Sequence, residues 1–391
     1  MTGLRVVGLF AGVGGIEKGL HHAGHTTELL CEWDAAAQNV LREHFTDVEV
    51  VGDVRDLKSL PSVDLLAAGF PCTDISQAGR KTGIEGEQSG LVGEVWRLMD
   101  SASPSPEWLL LENVSYLLSL DRGNGLKHLI DSVEARGYRW AYRIVDARAF
   151  GLPQRRQRIV FLASRSNDPA AVLFADDAGL AAGFNDAVGD VDPSGAYGFY
   201  WTEGLRGLGW AYNAVPTIKG GSGLGIPSPP AIWYPNTGEF GTPQIEDAER
   251  MQGFPPDWTA KGSLEAARSG NASGPRWKQV GNAVCVPMST WVGERLLQPG
   301  EVASDVVGEE FRGPKWPLAA FGHAGRSWRA NVSTQPFAQP FDIRKFLDLP
   351  LKPLSHRAAS GFLSRAERGN LRFSHGFIDS LREYIESVTP T

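Results

Sequence analysis

Cysteine is scarce in this chain. Cys31, Cys72 and Cys285 are the only three in 391 residues, and none belongs to a CxxC pair. That excludes a disulfide framework and leads to the expectation of a reducing, cytoplasmic setting. Long apolar runs are missing as well, since none approaches the roughly 18 residues of a membrane span. The opening MTGLRVVGLFAGVGG has one Arg and a short apolar run that ends in glycines, the pattern of a first strand rather than a signal peptide. No internal repeat is visible. A basic excess is also absent: 38 Lys and Arg face 45 Asp and Glu, for a net charge of -7. Taken alone, that balance argues against a nucleic-acid partner.

Charge is distributed unevenly, however. Residues 311–372 hold 11 Lys and Arg against Asp342, Asp348 and Glu367. A second basic run, Arg155, Arg156, Arg158 and Arg165, has no acid between Asp146 and Asp168. The acidic total therefore conceals basic patches. The length suggests two or three domains, and 42% hydrophobic residues can fill a core.

Short apolar runs alternate with longer mixed segments over the first 165 residues. LRVVGLF (4–10), TELLCE (27–32), VDLLAAG (63–69) and EWLLLEN (107–113) read as buried strands. Ile16–Ala23 and Ala35–His44 between them suit crossover helices, and YRWAYRIV and RIVFLAS follow as later strands. This order predicts a doubly wound α/β sheet, mostly parallel, with its ligand at the carboxyl ends of the strands. Past residue 165 the texture becomes rich in Gly, Pro and Trp, as in GGSGLGIPSPP (220–230), which predicts a smaller, loop-rich module. An amphipathic helix is expected at Phe377–Val388.

Chemistry-bearing residues cluster at the predicted strand ends. Phe10-Ala-Gly-Val-Gly-Gly15 can form a tight turn or cradle a ligand at a helix N-terminus. Glu32 ends the second strand, where an acid can accept the two hydroxyls of a ribose, and Trp33 beside it can stack on a purine. Asp53, followed by Val54, could bond an adenine amine, although a lone acid there also serves as a helix cap. The spacing departs from GxGxxG, so a nicotinamide dinucleotide is the weaker reading. Gly69-Phe70-Pro71-Cys72 ends a strand and opens a polar, Gly-bearing loop, a setting for a reactive thiolate. Cys31 and Cys285 lie in apolar runs and are expected to pack as small hydrophobes. Glu112-Asn113-Val114 ends a further strand.

In this order, FAGVGG, the acid–Trp pair, GDV, GFPCTDIS, ENV, QRRQR (154–158), ERMQGFP (249–255) and KQVGNAV (278–284) resemble the motifs of the DNA cytosine-5 methyltransferase family, bacterial or phage type. The resemblance covers roughly 4–164 and 246–295. It implies an S-adenosylmethionine-dependent methyltransferase fold with a small target-recognition domain: 1–164 plus 272–300 catalytic, 165–271 recognition, and 301–391 an extension of unknown role. It implies S-adenosyl-L-methionine as cofactor with no metal, held by Phe10, Gly12, Gly14 and Gly15 at its methionine end, where Asn282 returns, by Glu32 at the ribose, and by Trp33, Asp53 and Val54 at the adenine. It makes Cys72 the nucleophile that adds to cytosine C6 and Glu112 the donor at N3, its proton retained by burial. Arg158 would hold the base and Glu112, and Arg156 the Cys72 loop. Asn113 and Val114 would shape the pocket wall. The target base must flip out of the duplex, at a cost of a few kcal/mol.

The implied partner is double-stranded DNA, with a cognate restriction endonuclease as functional partner, no membrane, and a monomeric state. The sequence departs from the family at Thr73, Gln157 and 243–247. Thr217-Ile218 matches the short mark of the recognition region, where Arg206 and Lys219 are the only Lys or Arg between 166 and 245. Three alternatives stay open at this level: cytosine methylation of a structured RNA such as tRNA, a catalytically silent DNA-binding regulator, and a nicotinamide oxidoreductase.

Overall fold

A computed structural model describes residues 3–70, 90–179, 184, 186, 188–205, 207–221, 229–263, 273–312 and 315–388. The chain divides into two compact units: 1–149, 157–182 and 283–338 in the first, 150–156, 183–282 and 339–391 in the second.

The first unit is built on strands that read as unbroken apolar runs because both faces are covered. These are β1 (Arg5–Leu9), β2 (Thr26–Cys31), β3 (Glu49–Val51), β4 (Leu65–Ala68), β5 (Trp108–Val114), β6 (Arg139–Asp146) and β8 (Gln157–Ser164). Every residue of β4 is buried. Helices α1 (Gly15–His22), α2 (Ala35–His44), α3 (Leu91–Ser101) and α4 (Asn124–Ala135) connect them. Asp34 starts α2 by accepting the Ala36 and Ala37 N–H groups at 2.9 and 3.1 Å. The expected strands and both expected crossover helices are present.

The sheet order is β14-β16-β15-β6-β8-β5-β4-β1-β2-β3. β3, β2, β1, β4 and β5 pair in parallel. β8 runs antiparallel between β5 and β6. Chain order reverses between β1 and β4, so the switch point of the doubly wound sheet lies there.

Three of those strands come from the stretch expected to be a separate extension. β14 (Val307–Glu310), β15 (Ala319–His323) and β16 (Arg326–Ala330) continue the sheet, with β15 antiparallel to β6. Trp316 packs edge-on against Trp140 and Tyr142 and donates its indole N–H to Gly123 O at 2.8 Å. The first unit also runs past the expected boundary at 164. Buried Arg143 explains this: it donates to Leu173 O (2.9 Å), Asp176 O (2.6 Å), Ser333 O (2.9 Å) and the Asp177 carboxylate (2.7 Å). One guanidinium thereby ties the segment after α5 (Pro169–Leu173) and the later tail to the sheet.

Short strands make up the second unit, which contains more sheet than its Gly-rich texture suggests. β9 (Tyr197–Phe199), β10 (Ala211–Tyr212), β12 (Ala231–Tyr234), β13 (Glu239–Thr242) and β17 (Lys352–Pro353) form an antiparallel sheet in the order 10-9-12-13-17. β7 (Gln154–Arg155) and β11 (Val215–Pro216) pair in parallel beside it. The helices of this unit are α6 (Ile245–Arg250), α7 (Ser273–Asn282), α9 (Ile343–Phe346), α10 (His356–Arg368) and α11 (Phe377–Ser387), while α8 (Val286–Leu297) belongs to the first unit. Residues 273–282, expected with the catalytic part, lie in the second unit because Trp277 and Val280 share a core with Ile218 and Met251. Phe362 and Phe377 from the tail helices pack on Phe199 at 5.1 and 5.2 Å. Tyr197, Phe199, Tyr200 and Trp210 are thus core residues of this unit.

Candidate functional site

All five parallel strands of the first unit end on one edge of the sheet, and each of those ends leads into residues singled out by sequence, of which those after β4 are described only as far as Phe70. After β1, Phe10, Gly12 and Gly14 take left-handed φ values of 55, 56 and 81°. Such a backbone costs a non-glycine residue roughly 1–3 kcal/mol, so strain is stored at Phe10. Its ring lies edge-on to Phe70, the residue two beyond β4, with centroids 6.5 Å apart.

The glycines serve different ends. A side-chain carbon built on Gly12 would meet nothing within 4 Å, so the loop is open there. On Gly14 it would strike the Phe45 ring at 2.5 Å, and on Gly15 the Val284 carbonyl at 2.3 Å. Gly14 and Gly15 let α1 approach its neighbours, whereas Gly12 leaves surface for a ligand.

Glu32, after β2, is clasped by backbone: Gly12 N–H donates to Oε2 at 2.8 Å and Asp34 N–H to Oε1 at 2.7 Å. Trp33 is 71% exposed, with the Arg55 guanidinium 5.8 Å from its ring centre. Past β3, Asp53 is bound by Arg55 through its side chain and its N–H, and these hydrogen bonds hold the Asp53 carboxyl below the usual range. Val54 is buried in the core behind them.

At the end of β5, Glu112 meets Arg158 of β8 at 3.0 Å, both side chains about nine-tenths buried. Arg158 stands across from Val114 in the antiparallel register, so the pair spans one residue pair diagonally. Asn113 between them is a brace. It donates to Phe70 O at 2.8 Å and accepts the Val114 N–H at 2.9 Å, fixing the backbone at Phe70. Cys72, two residues further on, lies outside the described residues. Cys31 and Cys285 are buried, as expected.

Arg156 and Asn282 belong to the second unit. Arg156, 2% exposed, donates to Ile218 O (3.3 Å) and Gly281 O (3.2 Å). Gln154 receives the Ile218 N–H at 3.0 Å and donates to Met251 O at 2.9 Å, and Thr217 Oγ1 donates to Arg155 O at 2.7 Å. Residues 154–156 thus fasten the Thr217-Ile218 segment. Glu249 of ERMQGFP takes the Thr259 N–H at 2.9 Å and Arg276 at 3.0 Å. Asn282 is exposed at the end of α7, where its amide oxygen would be 2.6 Å from a side-chain carbon on Gly220. Gly281 just before it has no room for one, since the Lys219–Gly220 backbone would be 2.1 Å away.

One site residue escaped sequence reasoning. Glu17, in the first turn of α1, is 1% exposed and neither carboxylate oxygen has a hydrogen-bond partner among the described residues. Burial, with Glu32 adding to it, pushes its pKa up to about 7. The signal was available: Val13, Ile16 and Leu20 place position 17 within a buried helical stripe.

A switch-point sheet with a Gly-rich loop, an acid at the next strand end and an Asp beyond it defines an α/β enzyme of the methyltransferase fold. A solved structure supports that fold: the S. pombe Dnmt2 methyltransferase aligns with TM-score 0.52 and 14% identity over 76% of this chain and 99% of its own. The family model described as C-5 cytosine-specific DNA methylase matches residues 4–181. Type II methyltransferase M2.BsuMI of Bacillus subtilis (strain 168) is 49% identical over 97% of each sequence. Type II methyltransferase M.NlaX of Neisseria lactamica is 28% identical over 77% of this chain and 98% of its own. The chain belongs to the C-5 cytosine-specific DNA methylases.

Proposed function

We propose that this enzyme methylates C5 of one cytosine within a recognised sequence of double-stranded DNA, as the modification arm of a restriction-modification system. The observation that carries the reading is the placement of the Glu112–Arg158 pair on the same sheet edge as the Gly12 loop and Glu32.

The residues present fit S-adenosylmethionine. The loop is open over Gly12, and Glu32 is oriented by one backbone N–H on each oxygen, a carboxylate in the place where two ribose hydroxyls would be accepted. Phe10 and the Gly12–Gly15 loop would hold the methionine end, and Trp33, Asp53 and Val54 the adenine. An adenine amine would compete there with Arg55 for the Asp53 carboxylate. When bound, the cofactor supplies an electrophilic methyl group.

Cytosine C5 is a poor nucleophile until a soft nucleophile adds at C6. Cys72 is the residue proposed to form that bond, and Glu112 to place a proton on N3 as electrons move into the ring. Arg158 orients Glu112, and Asn113 keeps the backbone before Pro71-Cys72 in place. Once C5 carries the methyl group, a solvent base takes its proton, N3 returns its proton to the Glu112 carboxylate, and the C6–S bond breaks to release the Cys72 thiolate and restore the aromatic ring.

The test offers the full-length protein labelled methyl donor with duplex DNA and, separately, with tRNA. Label should enter duplex DNA as 5-methylcytosine and fall to background for Cys72→Ser. Transfer to RNA alone, or a fully active Cys72→Ser variant, refutes the proposal.

A further inference from the structure

A protein that grips duplex DNA must neutralise phosphates with Lys and Arg. The segment expected to recognise the target is poor in such groups. Between residues 166 and 245 it has only Arg206 and Lys219. Lys219 is ion-paired with Glu203 and lies over the Tyr200 ring, and Arg206 lies outside the described residues. Elsewhere in the second unit, Arg250 is paired with Asp247 and Asp348, and Arg276 with Glu249 and Asp257.

The tail supplies what this segment lacks. Residues 352–372 carry Lys352, Arg357, Arg365, Arg368 and Arg372 against a single acid, Glu367. Glu367 is taken by Arg382 at 3.0 Å. In α10, Ala359, Phe362 and Ala366 form the buried face. Arg357, Gly361, Ser364 and Arg368 line up on the opposite side, with both arginines exposed and without a carboxylate partner among the described residues. Arg368 is steadied by its own helix through a 2.9 Å bond to Ser364 O. Three helical turns, about 16 Å, separate Arg357 from Arg368, a length over which each DNA strand presents about five phosphates.

α10 is also fixed to the expected recognition segment. Arg365 donates to Glu203 O at 2.9 Å and Trp201 O at 2.8 Å, next to Tyr200, whose hydroxyl donates to Thr217 O at 2.7 Å. The apolar face of α10 is spent on the core, so the helix cannot enter a lipid surface.

We infer that the outer face of α10, through Arg357 and Arg368 with Lys352 and Arg372 flanking it, is a duplex-DNA phosphate-binding surface. This rests on the proposed activity on DNA. The test measures binding of a 30-base-pair duplex to the full-length protein from 50 to 300 mM NaCl. Each lost phosphate contact should flatten the slope of log affinity against log salt by about 0.9, hence by about 2 for the Arg357→Gln/Arg368→Gln double variant. KM for DNA should rise at least tenfold with kcat unchanged. Arg382→Gln, which removes a cation bound to two acids, should leave the slope as it was. A circular-dichroism melt of each variant checks that α10 stays folded. A folded double variant with an unchanged slope overturns this inference alone. A wild-type protein that neither binds nor methylates duplex DNA overturns the proposed activity with it, and preference for RNA does the same.

Discussion

Glu17→Gln should make the protein more stable at alkaline pH and have little effect at acid pH. The buried carboxyl of Glu17 has no hydrogen-bond partner among the described residues, and its pKa is raised from 4.5 to about 7. A proton therefore binds more tightly in the folded than in the unfolded chain. Below pH 4.5 both states are protonated and nothing is lost. As pH rises toward 7 the unfolded chain ionises freely while the folded one resists, so stability falls, and above 7 the loss levels off. At 1.36 kcal/mol per pKa unit the full penalty is about 3 kcal/mol, of which about 2.5 kcal/mol accrues between pH 5 and pH 8. Gln has nearly the same shape and does not ionise, so the penalty disappears. Urea unfolding of both proteins at pH 5, 6, 7 and 8 gives the stability gap directly. The gap should widen by about 2.5 kcal/mol across that range. A gap that stays constant with pH would refute the argument, since a mere packing change carries no proton dependence.

Two further outcomes test the packing that supports the site. Arg143→Met takes the guanidinium from three carbonyls and from Asp177, which keeps only its Ser333 donors, and should cost about 3–5 kcal/mol, read by denaturant unfolding and by earlier proteolysis at residues 173–179. Gly281→Ala forces a methyl into the Lys219–Gly220 backbone, and should destabilise the second unit by about 1–3 kcal/mol, seen as faster hydrogen exchange in β7 and β11 than in wild type.

The sheet was legible because parallel strands buried on both faces leave unmistakable runs such as LLAA and WLLLEN. The strand ends then place Phe10, Glu32, Asp53 and Glu112 without any knowledge of distant contacts. What the sequence did not disclose depends on pairs far apart in the chain. Asn113 braces Phe70 across 43 residues, and Arg156 reaches Gly281 across 125. Domain limits failed to appear for the same reason. Composition changes near residue 165, but buried Arg143, with Trp291, Arg295 and Ser333, holds the chain to the first unit as far as Asp177. Trp and Tyr in a Gly-rich stretch also mask short strands, since two-to-four-residue strands such as β9–β13 are too brief for a clear alternation.

The tail shows why charge is better counted by unit than by segment. Its basic stretch, 311–372, is one run in sequence but is shared by two cores. Arg312, Lys315, Arg326 and Arg329 go with β14–β16 in the first unit, without an acid among residues 311–338. The remaining seven cations, with Asp342, Asp348 and Glu367, go with β17, α9 and α10 in the second. Neither part is an appendage, because β15 pairs along β6 and Phe362 and Phe377 fill the core of the small sheet. An overall charge of -7 is therefore compatible with a basic surface such as the one proposed to meet DNA on α10. The positive charge resides on elements that the fold itself requires, and neutralising substitutions confined to the exposed face of α10 separate binding from folding.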